Sequence, residues 1–155
     1  MLITDEYYHA AAKMSPCKIS QGNLMTTRQK HIRHGVGSVR PYLYGRLDLP
    51  IMLRQAFGAV ELERLPVGKG FHIEAKIGDS MVVLEVGDPP HPGGTPASIY
   101  VYVDDVDAAY GRAIAAGATS VSEPSDKPYQ ERSAGIKDSY GNIWYIATYK
   151  GVTET

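Results

Sequence analysis

The sequence predicts an α+β fold made of two tandem β-α-β-β-β modules. Three observations lead there. Gly58 and Gly117 each close a helix-like stretch and precede an alanine; Asp79 and Asp138 each sit in an Ile-x-Asp-Ser unit; both pairs lie 59 residues apart. Around these anchors the apolar residues switch from helical to alternating spacing, in the same order twice. Between the copies runs Gly87-Asp88-Pro89-Pro90-His91-Pro92-Gly93-Gly94, made almost wholly of turn formers. A repeat of this length is a whole supersecondary unit, too long for one turn of a solenoid. Two such units are expected to share one binding cavity.

The elements follow in order. Residues 1–37 form an N-terminal extension, partly helical or flexible. In it Thr4-Asp5-Glu6 can cap a short helix through about Lys13, stopped by Ser15-Pro16. The extension nears its end in a basic run, Arg28-Gln29-Lys30-His31-Ile32-Arg33-His34. Such a run is usually a solvated linker; its other reading is a contact for an acidic partner. Met25 offers an alternative start that would leave a shorter chain. Residues 38–88 form the first module. Val39 to Tyr44 reads as a strand. Asp48 caps a helix whose apolar positions are Leu49, Met52, Leu53, Ala56 and Phe57, with Pro50 tolerated in the first turn and Gly58 as the stop. Strands follow near Ala59–Leu65, Gly70–Ile77 and Ser80–Val86.

Residues 89–97 are the Pro/Gly linker, 98–150 the second module and 151–155 a tail. Ser98–Val103 reads as a strand. Asp105 caps a helix with Val106, Ala109, Tyr110, Ala113 and Ile114 on one face, ended by Gly117. A short strand near Thr119–Val121, a polar loop through Gln130, and strands near Arg132–Ile136 and Asn142–Tyr149 complete the module. Counted back from their glycines, the two helices are out of phase by two positions. Asp48 and Asp107 also lie 59 residues apart: either the repeat has drifted, or the second helix is two residues longer and this match is accidental.

Composition excludes several partners. The chain has 155 residues and a formal net charge of −1, so it carries no general electrostatic footprint for nucleic acid or an anionic membrane. No apolar run approaches the roughly 18 residues of a membrane span. The first residues lack the basic and then apolar pattern of a secretory signal. Cys17 is the only cysteine, which fits a reducing compartment, and a cytoplasmic location is expected. There are 11 Tyr against 2 Phe and 1 Trp. Tyrosine combines an apolar ring with a polar tip and suits a wall that binds an amphipathic molecule; tyrosines are also simply common in strands.

Strand alternation sorts the candidate site residues. In Gly70–Ile77 the apolar Phe71, Ile73, Ala75 and Ile77 share one face, and His72, Glu74 and Lys76 the other. In Ser98–Val103, Ile99, Val101 and Val103 oppose Tyr100 and Tyr102. Trp144 and Ile146 alternate against Tyr145. The cavity is expected to combine Tyr100, Tyr102 and Tyr145 with His72, Glu74 and Glu85. His72 is the acid–base candidate because imidazole titrates near neutrality, with Glu74 placed to orient it; the competing reading makes both solvated groups at an open sheet edge. Arg132 can meet an anionic ligand group or a surface carboxylate. His91 reads as an exposed loop residue, and His9, His31 and His34 are assigned no chemistry. No phosphate-cradling loop, nucleophile elbow or cysteine cluster occurs.

Five segments, in order and at matching spacings, resemble the vicinal oxygen chelate superfamily of glyoxalase I, bleomycin-resistance proteins and extradiol dioxygenases. They are Gln55-Ala56-Phe57-Gly58-Ala59, Ile77-Gly78-Asp79-Ser80, Val101-Tyr102-Val103-Asp104-Asp105-Val106-Asp107, Ala115-Ala116-Gly117-Ala118 and Asp138-Ser139-Tyr140-Gly141-Asn142. The resemblance covers roughly residues 38–150 and is strongest to the small bacterial glyoxalase-like branch. It implies curved mixed sheets around a shared cavity, with each helix on the convex side and two modules, often from two chains, enclosing the space. Metal enzymes of this family hold a divalent ion with a His or Gln on the first strand of each module and a Glu on the last. Carried onto this chain, those positions fall at Pro41 and Tyr100 on the first strands and Tyr145 on the last strand of the second module. In the first module the last-strand position is Val86, or Glu85 on a one-residue slip. Proline cannot coordinate through its side chain and neutral tyrosine is a poor ligand, whereas zinc takes about four good donors and harder cations more oxygens. No cofactor is therefore expected, with a divalent metal as the alternative.

The resulting expectation is a homodimer that binds a small aromatic or amphipathic organic molecule in a metal-free cavity, by stacking on Tyr100, Tyr102 and Tyr145. The alternative is a lyase, isomerase or dioxygenase of the same superfamily, using an atypical metal site or His72–Glu74 acid–base chemistry. A third reading is a structural dimer with a vestigial pocket.

Overall fold

The computed structural model describes residues 31–151. The helix expected near Thr4–Lys13, Met25, Cys17 and the start of the basic run lie outside the described residues. Within them the β-α-β-β-β order appears twice. The first module comprises β1 (Tyr42–Gly45), α1 (Leu49–Phe57), β2 (Val60–Val67), β3 (Gly70–Ile77) and β4 (Ser80–Gly87). The second comprises β5 (Ser98–Tyr102), α2 (Val106–Ala115), β6 (Thr119–Lys127), β7 (Glu131–Lys137) and β8 (Ile143–Tyr149). Each module forms a four-stranded mixed sheet, in the orders β1-β4-β3-β2 and β5-β8-β7-β6, with the first strand parallel to the last.

These sheets correct the expected architecture. They are two separate, open sheets: among the described residues no strand of one pairs with a strand of the other, and they neither close nor curl around a shared cavity. The modules are joined instead by side chains and helices. Arg112 of α2 donates to the carbonyls of Gln55 and Ala56 at 2.9 and 3.0 Å, satisfying the open end of α1. The Phe57 ring packs on Trp144 of β8 with centroids 5.6 Å apart. At the edge strand β1, the carbonyl of Tyr44 accepts from Asn142 Nδ2 at 2.9 Å. A side-chain amide thus takes a strand carbonyl that sheet closure would give to another strand.

The alternating apolar residues do what their spacing predicts. Leu43, Ile73 and Leu84 of the first sheet, Ile136, Trp144 and Ile146 of the second, and Leu53 and Ala109 of the helices belong to one buried cluster. This burial is the dominant favourable term in the fold. It leaves the opposite, polar face of each sheet for other work.

The two helices begin differently. The caps are Asp48 and Asp105, and Gly58 ends α1 directly whereas Ala116 precedes Gly117 after α2. The second helical unit is two residues longer, so the alignment of Asp48 with Asp107 is accidental. Asp105 accepts from Ala108 N at 3.0 Å, an ordinary N-cap bond. Asp48 makes no such bond; its carboxylate accepts from Ser139 Oγ at 2.6 Å, across the modules.

Strand β6 is longer than the sequence suggests, reaching Lys127. Its residues are almost all polar, and Pro124 lies where the pairing with β7 is interrupted between Ser122 and Ser125. An edge strand tolerates both, because one of its sides faces solvent and a bulge needs no donor.

Candidate functional site

The first sheet carries an ionic polar face. Pairing sets His72 opposite Glu85 and Glu74 opposite Val83. His72 Nδ1 lies 3.2 Å from Glu85 Oε2, and His72 Nε2 lies 3.7 Å from Glu74 Oε1. Tyr42 OH donates to Glu85 Oε2 at 2.8 Å. Arg40 donates to Glu74 Oε2 at 2.5 Å, and these two side chains are only 11% and 8% exposed. The same guanidinium donates to the carbonyls of Arg33, Val36 and Gly37, tying the segment before β1 to this face. Arg33 and His34 in turn meet Glu63 of β2. This end of the basic run is therefore engaged within the chain and is not a free linker. Burial, and then donation to Glu85, pushes the Tyr42 phenol up to about 12.

The second sheet carries a phenolic face. Tyr100 stands opposite Tyr145, and Gly135 flanks Tyr145 on the other side. The Tyr100 and Tyr145 rings stack with centroids 6.3 Å apart, and Tyr100 and Tyr102 lie 5.5 Å apart. Both Tyr100 and Tyr102 donate to one carboxylate, Glu131, at 2.5 and 2.7 Å. Donation from Tyr100 and then Tyr102 holds the Glu131 carboxyl below the usual range. The Tyr100 phenol is pushed up by burial and by the bond to Glu131; Tyr102 is pushed up chiefly by its bond. Near neutral pH the arrangement is one carboxylate gripping two protonated phenols. The hydroxyls are fixed while Tyr100, Tyr102 and Tyr145 stay 48%, 63% and 42% exposed.

Among the described residues, the expected site residues do not all line the cleft between the modules. A cleft of about 890 Å³ runs between the modules and takes in Pro41, Tyr100 and Tyr102, but Tyr145, His72, Glu74 and Glu85 are not among its walls. Pro41 is exposed at the start of β1 and out of phase with its polar face, where Tyr42 and Tyr44 stand. The strict 59-residue offset therefore pointed one residue away from the strand's facing side chain. Glu85, not the buried Val86, shares the face with His72. Arg132 is on the opposite face from the tyrosines: it donates twice to Asp107, at 2.6 and 2.8 Å, and once to Asp126 at 3.2 Å. His91 is exposed, with its ring 5.3 Å from that of Tyr44.

Four participants were missed in the sequence. Tyr42 and Tyr44 alternate in the same way as Tyr100 and Tyr102, so the signal was available. Glu131 is two residues before Ser133 on the same face, but the segment reads as loop if the turn is set too late. Arg40 gave no local sign of its partner, which lies 34 residues on. Among the described residues no group of three or more His, Cys, Asp or Glu could hold a metal ion. The donor chemistry agrees: on the second sheet the family positions are phenols, and on the first Glu74 is committed to Arg40 and Glu85 to Tyr42 and His72. A divalent ion does not fit these residues.

Comparison with known proteins places the chain. It is 36% identical over 104 residues to an uncharacterized protein of Mycobacterium tuberculosis, a match that spans 59% of this chain and 61% of that one, less than two thirds of its length. The fold is similar to that of TioX from Micromonospora sp. ML1, with a TM-score of 0.58 and 26% identity over 72% of this chain and 95% of that one. It is also similar to TnmS3, an antibiotic binding protein from Streptomyces sp. CB03234, with a TM-score of 0.53 and 19% identity over 72% of this chain and 96% of that one. Residues 53–146, more than half of the chain, match the model of one family. The chain belongs to the Glyoxalase/Bleomycin resistance protein/Dioxygenase superfamily.

Proposed function

We propose that this protein binds a small aromatic or amphipathic organic molecule without a metal ion, on the tyrosine face of its second sheet. The observation that carries the reading is the Tyr100–Tyr102–Tyr145 wall, in which the hydroxyls of Tyr100 and Tyr102 are gripped by Glu131 and the Tyr145 ring stacks on Tyr100. Rings held in advance lose little freedom on binding, so stacking is not offset by an ordering cost. One neighbour of the same fold is described as antibiotic binding, which supports the class of ligand at the level of fold alone. A second copy of the chain covers the exposed tyrosines in this reading and shapes two equivalent pockets, since a patch of this kind rarely stays open to water.

Calorimetric titration against a panel of planar aromatic compounds tests the proposal. Saturable binding is expected, weakened about tenfold by Tyr145→Ala, and sedimentation is expected to report a dimer. Absence of any organic ligand, with saturable uptake of a divalent metal, would reverse the reading.

A second reading rests on His72, which sits between Glu74 and Glu85 as an acid–base group would. It assigns a lyase, isomerase or dioxygenase reaction to the first sheet. Chemical turnover of a bound compound that disappears in His72→Asn but survives Tyr145→Ala would favour it.

A further inference from the structure

The edges of the two sheets are not protected alike. Edge strand β2 carries a bulge between Glu61 and Glu63, and a proline, Pro66. Edge strand β6 is interrupted on both sides of Ser122 and carries Pro124. On β1 the Tyr44 carbonyl is taken by Asn142. Such devices keep an edge from joining other groups. Strand β5 has none of them: Ser98-Ile99-Tyr100-Val101-Tyr102 is regular, uncharged and free of proline, and it pairs with β8 alone. The Val103 amide donates to Ala147 and the Ala97 carbonyl accepts from Ile143, so alternate residues, Ile99 and Val101 among them, turn their backbone toward β8. The carbonyls of Tyr100 and Tyr102 therefore point out of the open edge.

That edge borders the cleft of about 890 Å³ between the modules, a volume within the range of small-molecule sites, about 300–1,000 Å³. The cleft exists because one turn is short. In the second module the connection after β7 reaches across, and Asn142 closes the gap at Tyr44. The corresponding turn of the first module, Gly78-Asp79, is too short to do so, and Asp79 meets only Ser80 among the described residues. Phe57 and Ile77 of the first module and Ile99, Val101 and Val103 of the second line the space. All five are half-buried at the margin of the core, so apolar surface stays open to the cleft from both sides.

The charge of the walls is one-sided: Asp79, Asp104 and Asp105 stand against Arg112. Arg112 spends two of its nitrogens on the carbonyls of Gln55 and Ala56, and Asp105 caps α2. Asp79 and Asp104, one from each module, are exposed and make no ion pair among the described residues.

We propose that this cleft is a second ligand site, distinct from the tyrosine face, for a small organic cation with an apolar body. The body lies against Phe57, Ile77 and Ile99, and the ammonium group meets Asp79, Asp104 and the outward carbonyl of Tyr102. An ammonium only donates, and carboxylates and carbonyls accept, so the two sets match. A neutral ligand of the same shape forgoes the charge-assisted bonds, and an anion is repelled.

Calorimetric titration of the full chain with phenethylamine, phenethyl alcohol and phenylacetate, three probes of similar shape and different charge, tests the site. The amine is expected to bind saturably, the alcohol about tenfold more weakly and the acid not at all. Asp79→Asn combined with Asp104→Asn, two exposed isosteric changes, is expected to weaken the amine about tenfold with an unchanged circular dichroism spectrum. Ile99→Trp narrows the cleft and is expected to abolish binding. Tyr145→Ala is expected to leave it unaltered, so that failure of this site and failure of the tyrosine site are told apart. Lack of saturation by the amine, equal affinity for the alcohol, full affinity in the paired Asn variant, or loss in Tyr145→Ala overturns the proposal. If Ile99→Trp does not fold, the probe series and the other variants decide alone.

Discussion

The two modules share an element order and a strand order, yet they spend the polar faces of their sheets in different ways. In the first, Arg40, His72, Glu74, Glu85 and Tyr42 make a connected ionic network whose arginine and two carboxylates are largely closed to solvent. In the second, tyrosines cover the equivalent surface and a single carboxylate, Glu131, organises them. Each face satisfies its own buried polar groups, as burial requires. The backbone duplicates; the chemistry of its exposed positions does not. A site inferred by copying one module's residues onto the other would therefore fail, as the displacement from Tyr42 to Pro41 demonstrates.

The same divergence appears in the shared Ile-x-Asp-Ser unit. Asp79 lies in the two-residue turn between the paired Ile77 and Ser80, is exposed, and among the described residues accepts only from Ser80 Oγ at 3.0 Å. Asp138 is buried in a longer connection. It accepts from the backbone of Tyr140, Gly141 and Asn142, each at 3.0 Å, and from Asn142 Nδ2 and Trp144 Nε1 at 2.8 and 3.0 Å. Asp138→Ala would strand these donors and is expected to cost about 3–5 kcal/mol in urea unfolding, while Asp79→Ala stays within about 0.5 kcal/mol. Equal costs would break the contrast between the modules.

The arginines give a smaller contrast. Arg40→Ala leaves Glu74 buried without its partner and is expected to cost about 3 kcal/mol. Arg132→Ala breaks pairs with the exposed Asp107 and Asp126 and is expected to cost less than about 1 kcal/mol. Salt sharpens the comparison: 1 M sodium chloride should reduce the Arg132 effect and leave the Arg40 effect nearly unchanged.

The smallest expected effect is in titration. A tyrosine ordinarily ionises near about 10. Tyr42, raised to about 12, should give a late step in the ultraviolet titration of the folded protein. Because its folded value is raised, the stability it contributes is complete below about 10 and is lost as the pH rises through its folded value. Glu85→Gln should lower that step but keep it above about 10, since burial is the larger cause. An unshifted Tyr42 in the parent protein would contradict its place in the network.

Much of the fold was legible because it rests on local rules. Asp105 with Gly117, and Gly58 with the apolar spacing before it, marked the helices; the alternation of Ile73, Ala75 and Ile77 against His72 and Glu74 marked the buried face of β3. What was hidden depends on partners far away in the chain. The polar residues of β6 form a strand only because β7 supplies the pairing. Arg40 acquires its role only when Glu74 is brought beside it. The arrangement of the two sheets was also illegible, since contacts that join the modules, such as Arg112 to the end of α1 and Asn142 to the Tyr44 carbonyl, link segments far apart in the chain.

The tyrosine assignment is tested most directly by nuclear magnetic resonance of the protein with labelled tyrosine rings, recorded during titration with the tightest aromatic compound from the binding panel. The account predicts that the ring signals of Tyr100, Tyr102 and Tyr145 move together and saturate with the calorimetric affinity, while those of Tyr42 and Tyr44 hold still. Movement confined to Tyr42 and Tyr44, beside His72, would contradict it and transfer the ligand to the ionic face of the first module.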